Sequence, residues 1–380
     1  MYRIQVVEYA ERWTEGGTES YILNIIRKIN HEKFDVQIVV AQKETELYDS
    51  ELAEYGCEVK SLLNKIYENP IERVMATQHI FRNYFDRNRC DILHLHIIQG
   101  VALKYAKYAK SCGIRKVVAH CHNTEIGTGH KILKLLGHYL GKHYYRQYVD
   151  EKIACSDLAA KWLYTKRDIN QGKVKIYKYI VEMDIFQFNI GIRNEMRRKY
   201  GVGKEKVYLS IGRMEYQKNQ LFLLDVFKEI SKAEPLSKFI LIGTGSLKES
   251  TLEHAHNIGI YEKVIFIEKT REIPSYMWMA DVFILPSLFE GNPIVGIEAQ
   301  GAGLSCIFAD TITKEAKVLN TVIYISLKRD AKYWADKIIT ISLMSYDSRI
   351  VAAEIMRNSG YEIKQQTHEL EKMYMKNNIY

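Results

Sequence analysis

The segment Ile211-Gly212-Arg213-Met214-Glu215-Tyr216-Gln217-Lys218-Asn219 follows an apolar run at 207–211 and precedes a helical pattern. Arg213 and Lys218 share one loop, so both cations can reach a single anion. A pyrophosphate leaving group gains negative charge as its ester bond breaks, and each fixed cation there lowers the barrier by roughly 2–4 kcal/mol. Two solvated loop cations would carry the same signature. A second segment, residues 285–299, reads strand, turn, then a helix opening near Pro293, a residue suited to a first helical turn. Glu290 precedes that helix and Glu298 is expected about two turns along it. The two carboxylates therefore suit two parts of one extended ligand better than a catalytic pair on one face. Glu298 stands among Ile294, Val295, Ile297 and Ala299, so its charge needs a defined partner, such as a pair of ribose hydroxyls or nearby backbone. The amides of Gly291 and Asn292 offer further donors to hydroxyls or phosphate.

In the first half, Thr14-Glu15-Gly16-Gly17-Thr18-Glu19-Ser20 joins a first strand to a helix. Gly16 and Gly17 would let backbone amides approach a phosphate at a helix start. A plain tight turn needs the same glycines, and neither the Gly-x-Gly-x-x-Gly fingerprint nor a phosphate loop ending in Gly-Lys-Ser/Thr is present. His94, His96, His120 and His122 sit at the ends of two strands. Alternate strand residues share a face, and no carboxylate or cysteine pattern completes a zinc set, so no metal is expected. The six cysteines are scattered without a Cys-x-x-Cys pair and read as reduced thiols.

Positioning these residues requires strands that end where the motifs begin. Apolar β-branched runs at 4–7, 34–40, 92–96, 116–119, 152–155, 207–211, 239–242, 264–267, 282–285 and 305–308 alternate with amphipathic stretches at 21–30, 101–111, 221–232 and 331–344. That alternation specifies an α/β chain of parallel sheets covered by helices on both faces. The pattern restarts near residue 205, after a charged stretch holding Arg193, Arg197, Arg198 and Lys199. Two Rossmann-like doubly wound domains are expected, 1–185 and 186–360, with a helix at 361–380 returning to the first. Ligands of such sheets bind at the strand C-termini, and the two domains are expected to face each other across one cleft.

Charge is uneven. Residues 1–200 hold 32 Lys/Arg against 24 Asp/Glu, residues 201–380 hold 22 of each, and residues 101–178 hold 16 basic against 5 acidic. This excess suits an anionic partner or a solvated face. Residues 131–148 mix Lys, Leu and Tyr as a helix lying on an anionic bilayer would, though a helix with its leucines in the core reads similarly. Residues 1–8 have no signal-peptide core, and no apolar run reaches the roughly 18 residues of a spanning helix. A cytoplasmic chain, at most peripheral at the inner face of the cell membrane, is expected.

Gly16-Gly17-Thr18-Glu19, His120-Cys121-His122-Asn123, Ala154-Cys155-Ser156, Gly212-Arg213 with Gln217-Lys218-Asn219, Gly243-Thr244-Gly245, and Pro286-Ser287 with Glu290-Gly291 through Glu298-Ala299 resemble, in that order, family 4 of the retaining GT-B glycosyltransferases. The likeness is closest to the capsule and exopolysaccharide branch and spans essentially the whole chain. It implies an N-terminal acceptor domain and a C-terminal donor domain. Gly16 and Gly17 would lie near the donor phosphates, and Arg213 and Lys218 would hold the diphosphate. Glu290, with Gly291, Asn292 and Pro293, would meet the donor sugar, Glu298 the ribose, and His122 the sugar's reacting face. The resemblance further implies front-face attack by an acceptor hydroxyl, no cofactor, no metal, a donor that is most often a UDP-sugar, and a glycan or polyprenyl-diphosphate-linked acceptor. Two departures stand out. Glu268 replaces a usual glycine, which unsettles base contacts by Lys269 and Thr270, and Asn292 replaces an aliphatic residue. A nucleotide-sugar epimerase of the same architecture is the alternative, and a basic nucleic-acid binder, lacking any RNA-binding signature, the remote one.

Overall fold

The computed structural model describes residues 2–14, 16–65, 67, 70–126, 131–178, 181–361 and 363–376. Glu15 of the first glycine motif, and residues 362 and 377–380 of the returning helix, lie outside the described residues. The chain divides into two compact units, residues 1–180 with 363–380, and residues 181–362.

The first unit is built on seven strands: β1 (Ile4–Trp13), β2 (Phe34–Lys43), β3 (Val59–Ser61), β4 (Ile92–Ile97), β5 (Lys116–Cys121), β6 (Glu151–Ala154) and β7 (Val174–Ile176). All pair in parallel, in the order β3-β2-β1-β4-β5-β6-β7. The second unit has β8 (Val207–Ile211), β9 (Lys238–Ile242), β10 (Val264–Ile267), β11 (Val282–Leu285), β12 (Ser305–Ala309) and β13 (Val322–Ile325), parallel in the order β10-β9-β8-β11-β12-β13. In each sheet the order reverses beside the first strand, at β1/β4 and at β8/β11. Connections leave in opposite directions there, opening a crevice at the carboxyl ends of those strands. Strands β4, β5, β11 and β12 are buried along their whole length, which explains apolar runs such as Val282–Leu285. Three edge strands were not anticipated: β3, β7 and β13 are short and partly exposed, and a lysine breaks the apolar pattern in β3 and β7, whereas β13 is an apolar run of only four residues.

The charged stretch before residue 205 is regular structure. It is the helix Ile190–Lys199, capped by the Asn189 side chain, with Arg193 and Arg197 buried. Arg193 Nη1 donates to the carbonyls of Trp278, Met279 and Ala280 at 2.7–2.8 Å, and Nη2 pairs with Asp281 at 2.5 Å. Arg349 donates to the carbonyls of Met277 and Ala280. These carbonyls close the helix Ile273–Met279, where acceptors lack intrahelical donors and the helix dipole is negative, so guanidinium groups satisfy both.

The helix Ile363–Met375 packs into the first unit. Lys116 donates to the carbonyls of Met373 and Tyr374, and Glu371 accepts from the Asn30 amide. Among the described residues no helix is long and apolar enough to cross a membrane.

Candidate active site

In the second unit the crevice at β8/β11 gathers the two motifs of the second half. β8 ends at Ile211, and Gly212 turns the chain with φ 155°, its amide held by the Ile242 carbonyl. A Cβ at Gly212 would come within 2.9 Å of Lys218 Cε, so the lysine stem lies across the glycine. Asn219, left-handed at φ 59°, opens the helix Gln220–Ala233, and its side chain donates to the Pro286 carbonyl. Gln217 ties the β8 loop to the β11 loop twice: it accepts from the Leu288 amide and donates to the Phe289 carbonyl, both at 2.8 Å. Those bonds bring Lys218 Nζ to Glu290 Oε1 at 2.5 Å, with both side chains largely buried.

Lys218 and Glu290, assigned to different parts of a ligand, thus pair with each other. An ammonium has three donors, so the pair still leaves Lys218 able to reach an anion. Arg213 adjoins this loop, half-buried, its carbonyl accepting from Gln220 Nε2 at 2.7 Å. Among the described residues its guanidinium has no hydrogen bond or ion pair, unlike the buried Arg193, Arg197 and Arg349. Gly291, Asn292 and Pro293 are buried in the turn after Glu290. The following helix is Ile294–Gly301 with Pro293 as its cap, so Glu298 lies little more than one turn along it, not two. It is half-buried rather than enclosed by its apolar neighbours. Lys269 and Thr270 follow β10, two strands from β8 and roughly 10 Å from it by strand spacing, so they do not join the Lys218–Glu290 contact. Thr270 Oγ1 accepts from the Glu272 amide, and Glu268 pairs with Lys248 at 2.6 Å.

In the first unit, Gly16 caps the helix Gly17–Lys28 in an extended conformation. Glu19 is buried beside it and accepts from the Thr14 amide and hydroxyl at 2.8 and 2.9 Å. A carboxylate therefore already sits at the glycine turn assigned to phosphate. The four histidines cluster on one face, as strand alternation requires, because Glu8 pairs with His94 and His96 with His120 in sheet register. His96 contacts Glu8 Oε2 through Nε2 and His122 Nε2 through Nδ1, both at 2.7 Å. His94 Nδ1 reaches Tyr374 Oη at 2.6 Å, and Tyr374 donates to Glu8 Oε1 at 2.9 Å. Tyr21 stands edge-on to His120 at 4.9 Å. Burial opposes a charge on Glu8, yet the attraction of His94 and the hydrogen bonds of His94 and His96 hold its carboxyl far below the usual range. Burial, then His94, lowers His96 to about 4. Burial, then neighbouring histidines, holds His120 and His122 well below the usual imidazole range.

One nitrogen from each of His94, His96 and His120 lies within 4.8 Å of the others. A metal binds in the plane of each imidazole, whereas the ring of His94 stacks on His96 at 24° and on His120 at 12°. Both nitrogens of His96 are engaged as well. The arrangement is that of a hydrogen-bonded stack. Glu8 and Tyr374 were missed as members of it. A glutamate inside the apolar run of β1 was a legible signal; a tyrosine on the last helix was not.

The helix Lys131–Tyr144 does not bury its leucines. It packs through His138 and Gly141, with the Gly100 amide donating to His138 Nδ1 at 2.9 Å. Ile132, Leu133, Leu136, Tyr139, Leu140 and Tyr144 face outward, Ile132 at 86% exposure.

Residues 192–354 match the family model of Glycosyl transferases group 1, and residues 15–177 that of Glycosyltransferase Family 4. The chain is 23% identical over 372 residues to the glycosyltransferase EpsF of Bacillus subtilis (strain 168), covering 97% of this chain and 96% of that one. It is 23% identical over 383 residues to the capsular polysaccharide biosynthesis glycosyltransferase CapH of Staphylococcus aureus, covering 98% and 99%. In structure it resembles Anabaena HepE, solved with UDP and glucose, with a TM-score of 0.76 at 14% identity over 98% of this chain and all of that one. The epimerase alternative finds no support among these relatives.

Proposed function

We infer the reaction from one premise: this chain belongs to family 4 of the GT-B glycosyltransferases, its two halves matching the two family models, and it is a glycosyltransferase of polysaccharide biosynthesis. The donor is a UDP-sugar carrying a hexose or N-acetylhexosamine, a choice supported by HepE, which was solved with UDP and glucose. The sugar passes to a hydroxyl of a glycan acceptor with retention of configuration. Neither cofactor nor metal takes part, so turnover should be unchanged by EDTA.

The observation that carries this reading is the 2.5 Å contact of Lys218 with Glu290, beside Arg213, at the carboxyl ends of adjacent strands β8 and β11. Arg213 and Lys218 meet the diphosphate, where negative charge accumulates as the bond to the anomeric carbon breaks. Glu290 orients Lys218 and accepts from a sugar hydroxyl, while Glu298 accepts from the ribose. The acceptor hydroxyl attacks from the face the diphosphate leaves, and a phosphate oxygen takes its proton. No side chain is needed as a covalent nucleophile. His122 is assigned to a hydroxyl of the transferred sugar.

Thermal shifts with UDP-, GDP- and dTDP-sugars test the donor, since a ligand at a hundred times its Kd stabilises by about 2.7 kcal/mol. UDP-sugars should give the largest shift. Lys218→Ala and Glu290→Gln should each lower kcat about 10²–10³-fold while the chain still folds and melts cooperatively. Near-normal turnover in both would show that the centre lies elsewhere.

The acceptor is lipid-linked, a reading supported by the outward apolar residues of helix Lys131–Tyr144, flanked by Lys131 and Lys134. Such a face lies at a bilayer boundary, with aromatics at headgroup level. The chain should co-sediment with anionic vesicles, and Leu133→Ser with Leu136→Ser should abolish this. Equal, salt-insensitive partitioning to neutral vesicles would remove the idea.

A further inference from the structure

We propose that Gln217 is a positioning residue that holds the Glu290 turn against Lys218, a role that rests on the reading of Lys218 and Glu290 as donor-binding groups. Three consecutive residues of the loop after β8 address the loop after β11. The Gln217 carbonyl accepts from the Leu288 amide, and Gln217 Nε2 donates to the Phe289 carbonyl, both at 2.8 Å. Lys218 Nζ meets Glu290 Oε1 at 2.5 Å, and Asn219 Nδ2 donates to the Pro286 carbonyl at 3.2 Å. Gln217 stands immediately before Lys218, and its two bonds end on the two residues immediately before Glu290.

The stem of Lys218 lies across Gly212, so β8 places the lysine while β11 places the carboxylate. The distance between them is then set by what joins the two loops. An ammonium is a point charge on a flexible stem and accepts many geometries. The bonds of Gln217 run in opposite directions between main-chain groups and one short planar side chain, which fixes both the spacing and the register of the loops. On its other flank the turn is held by the loop after β12. Thr311 Oγ1 donates to the Ser287 carbonyl at 2.6 Å, and Glu290 forms a backbone bridge with Ile312. Gln217 supplies the side that faces Lys218. Phe289 and Glu290 are buried, so a carbonyl deprived of its donor there is costly, and the turn would move to recover one. A displacement of about 1 Å at a reacting centre can lower the rate about 10²-fold.

Gln217→Met keeps the main-chain bond to Leu288 and the length of the side chain but removes the donor. It should lower kcat about tenfold with the donor KM within about threefold. A kcat within about twofold of the parent chain overturns the proposal. Added to Lys218→Ala, the same change should cost less than about a further twofold, because the pair through which it acts is already gone. A further loss of about tenfold there would show that Gln217 acts by another route, and this too overturns the positioning role. Hydrogen exchange puts the question without altering Gln217. In Lys218→Ala the amides of residues 287–291 should exchange within about threefold of their parent rates, since Gln217 still joins the loops. Exchange faster by more than about tenfold would mean that the ion pair holds the loops and Gln217 only follows. Should Lys218→Ala and Glu290→Gln both turn over normally, the assignment of the centre fails and the positioning role with it, while the exchange rates still report what joins the loops. Should both be inactive while Gln217→Met is near normal, the positioning role alone is wrong.

Discussion

At the scale of single residues, the second-unit site depends on Gly212. Its φ of 155° suits glycine, and the stem of Lys218 occupies the space a Cβ would need. Gly212→Ala should therefore displace Lys218 from Glu290 and lower kcat about tenfold or more, while the apolar core stays untouched. A steady-state assay beside a thermal melt checks this, and unchanged kcat would mean that Lys218 needs no fixed path. Gly212, Arg213, Lys218 and Glu290 were legible because glycine and charge interrupt apolar runs at strand ends. The buried histidine cluster of the first unit was legible only in part. Its histidines showed by strand period, but His96 meets Glu8 and His122 only when β1, β4 and β5 lie side by side in register.

At the scale of elements, the second unit closes the helix Ile273–Met279 with guanidinium groups from two other helices. Removing Arg193 takes a donor from three carbonyls, of which Met279 keeps Arg197 and Ala280 keeps Arg349, and leaves Asp281 with Arg197 alone as its arginine partner, at 3.5 Å. Arg193→Ala should cost about 3–5 kcal/mol, the usual result of breaking one side of a buried pair, measured by urea unfolding. A loss below 1 kcal/mol would show that other donors replace it. Hydropathy alone marks this stretch only as charged, because four cations fall within a few residues. What hydropathy does not show is that two of them, Arg193 and Arg197, reach the carbonyls of a helix some 80 residues later. The helix Lys131–Tyr144 went the other way. Its leucines fit a core equally well, and burial of His138 and Gly141 against Gly100 decided which face turns outward.

At the scale of the whole molecule, the two units should respond differently to acid. His96 titrates at about 4 in the folded chain, while His120 and His122 are held well below the usual range, all by burial first. An unfolded histidine takes its proton near 6.5. Between that value and the lower folded one the unfolded state binds more protons, so stability falls as pH falls, by ~1.4 kcal/mol per pH unit for each such histidine. The depressed carboxyl of Glu8 adds loss in the same direction below its unfolded value of about 4.3. Calorimetry from pH 7.5 to 5.5 should show the transition of the first unit moving down and that of the second moving less. Parallel movement of both would contradict the burial assigned to these rings.

Local patterning alone determined the two doubly wound sheets and the strand ends where the candidate residues collect, and the order of the motifs carried the resemblance to the family. Covered parallel strands demand apolar runs, and glycine with charge must then collect at their termini. Tertiary structure alone decided that Lys218 and Glu290 touch and that Tyr374 reaches Glu8 across 366 residues of sequence. Those contacts depend on strand order and register, which pairing across the sheet selects and no local pattern encodes.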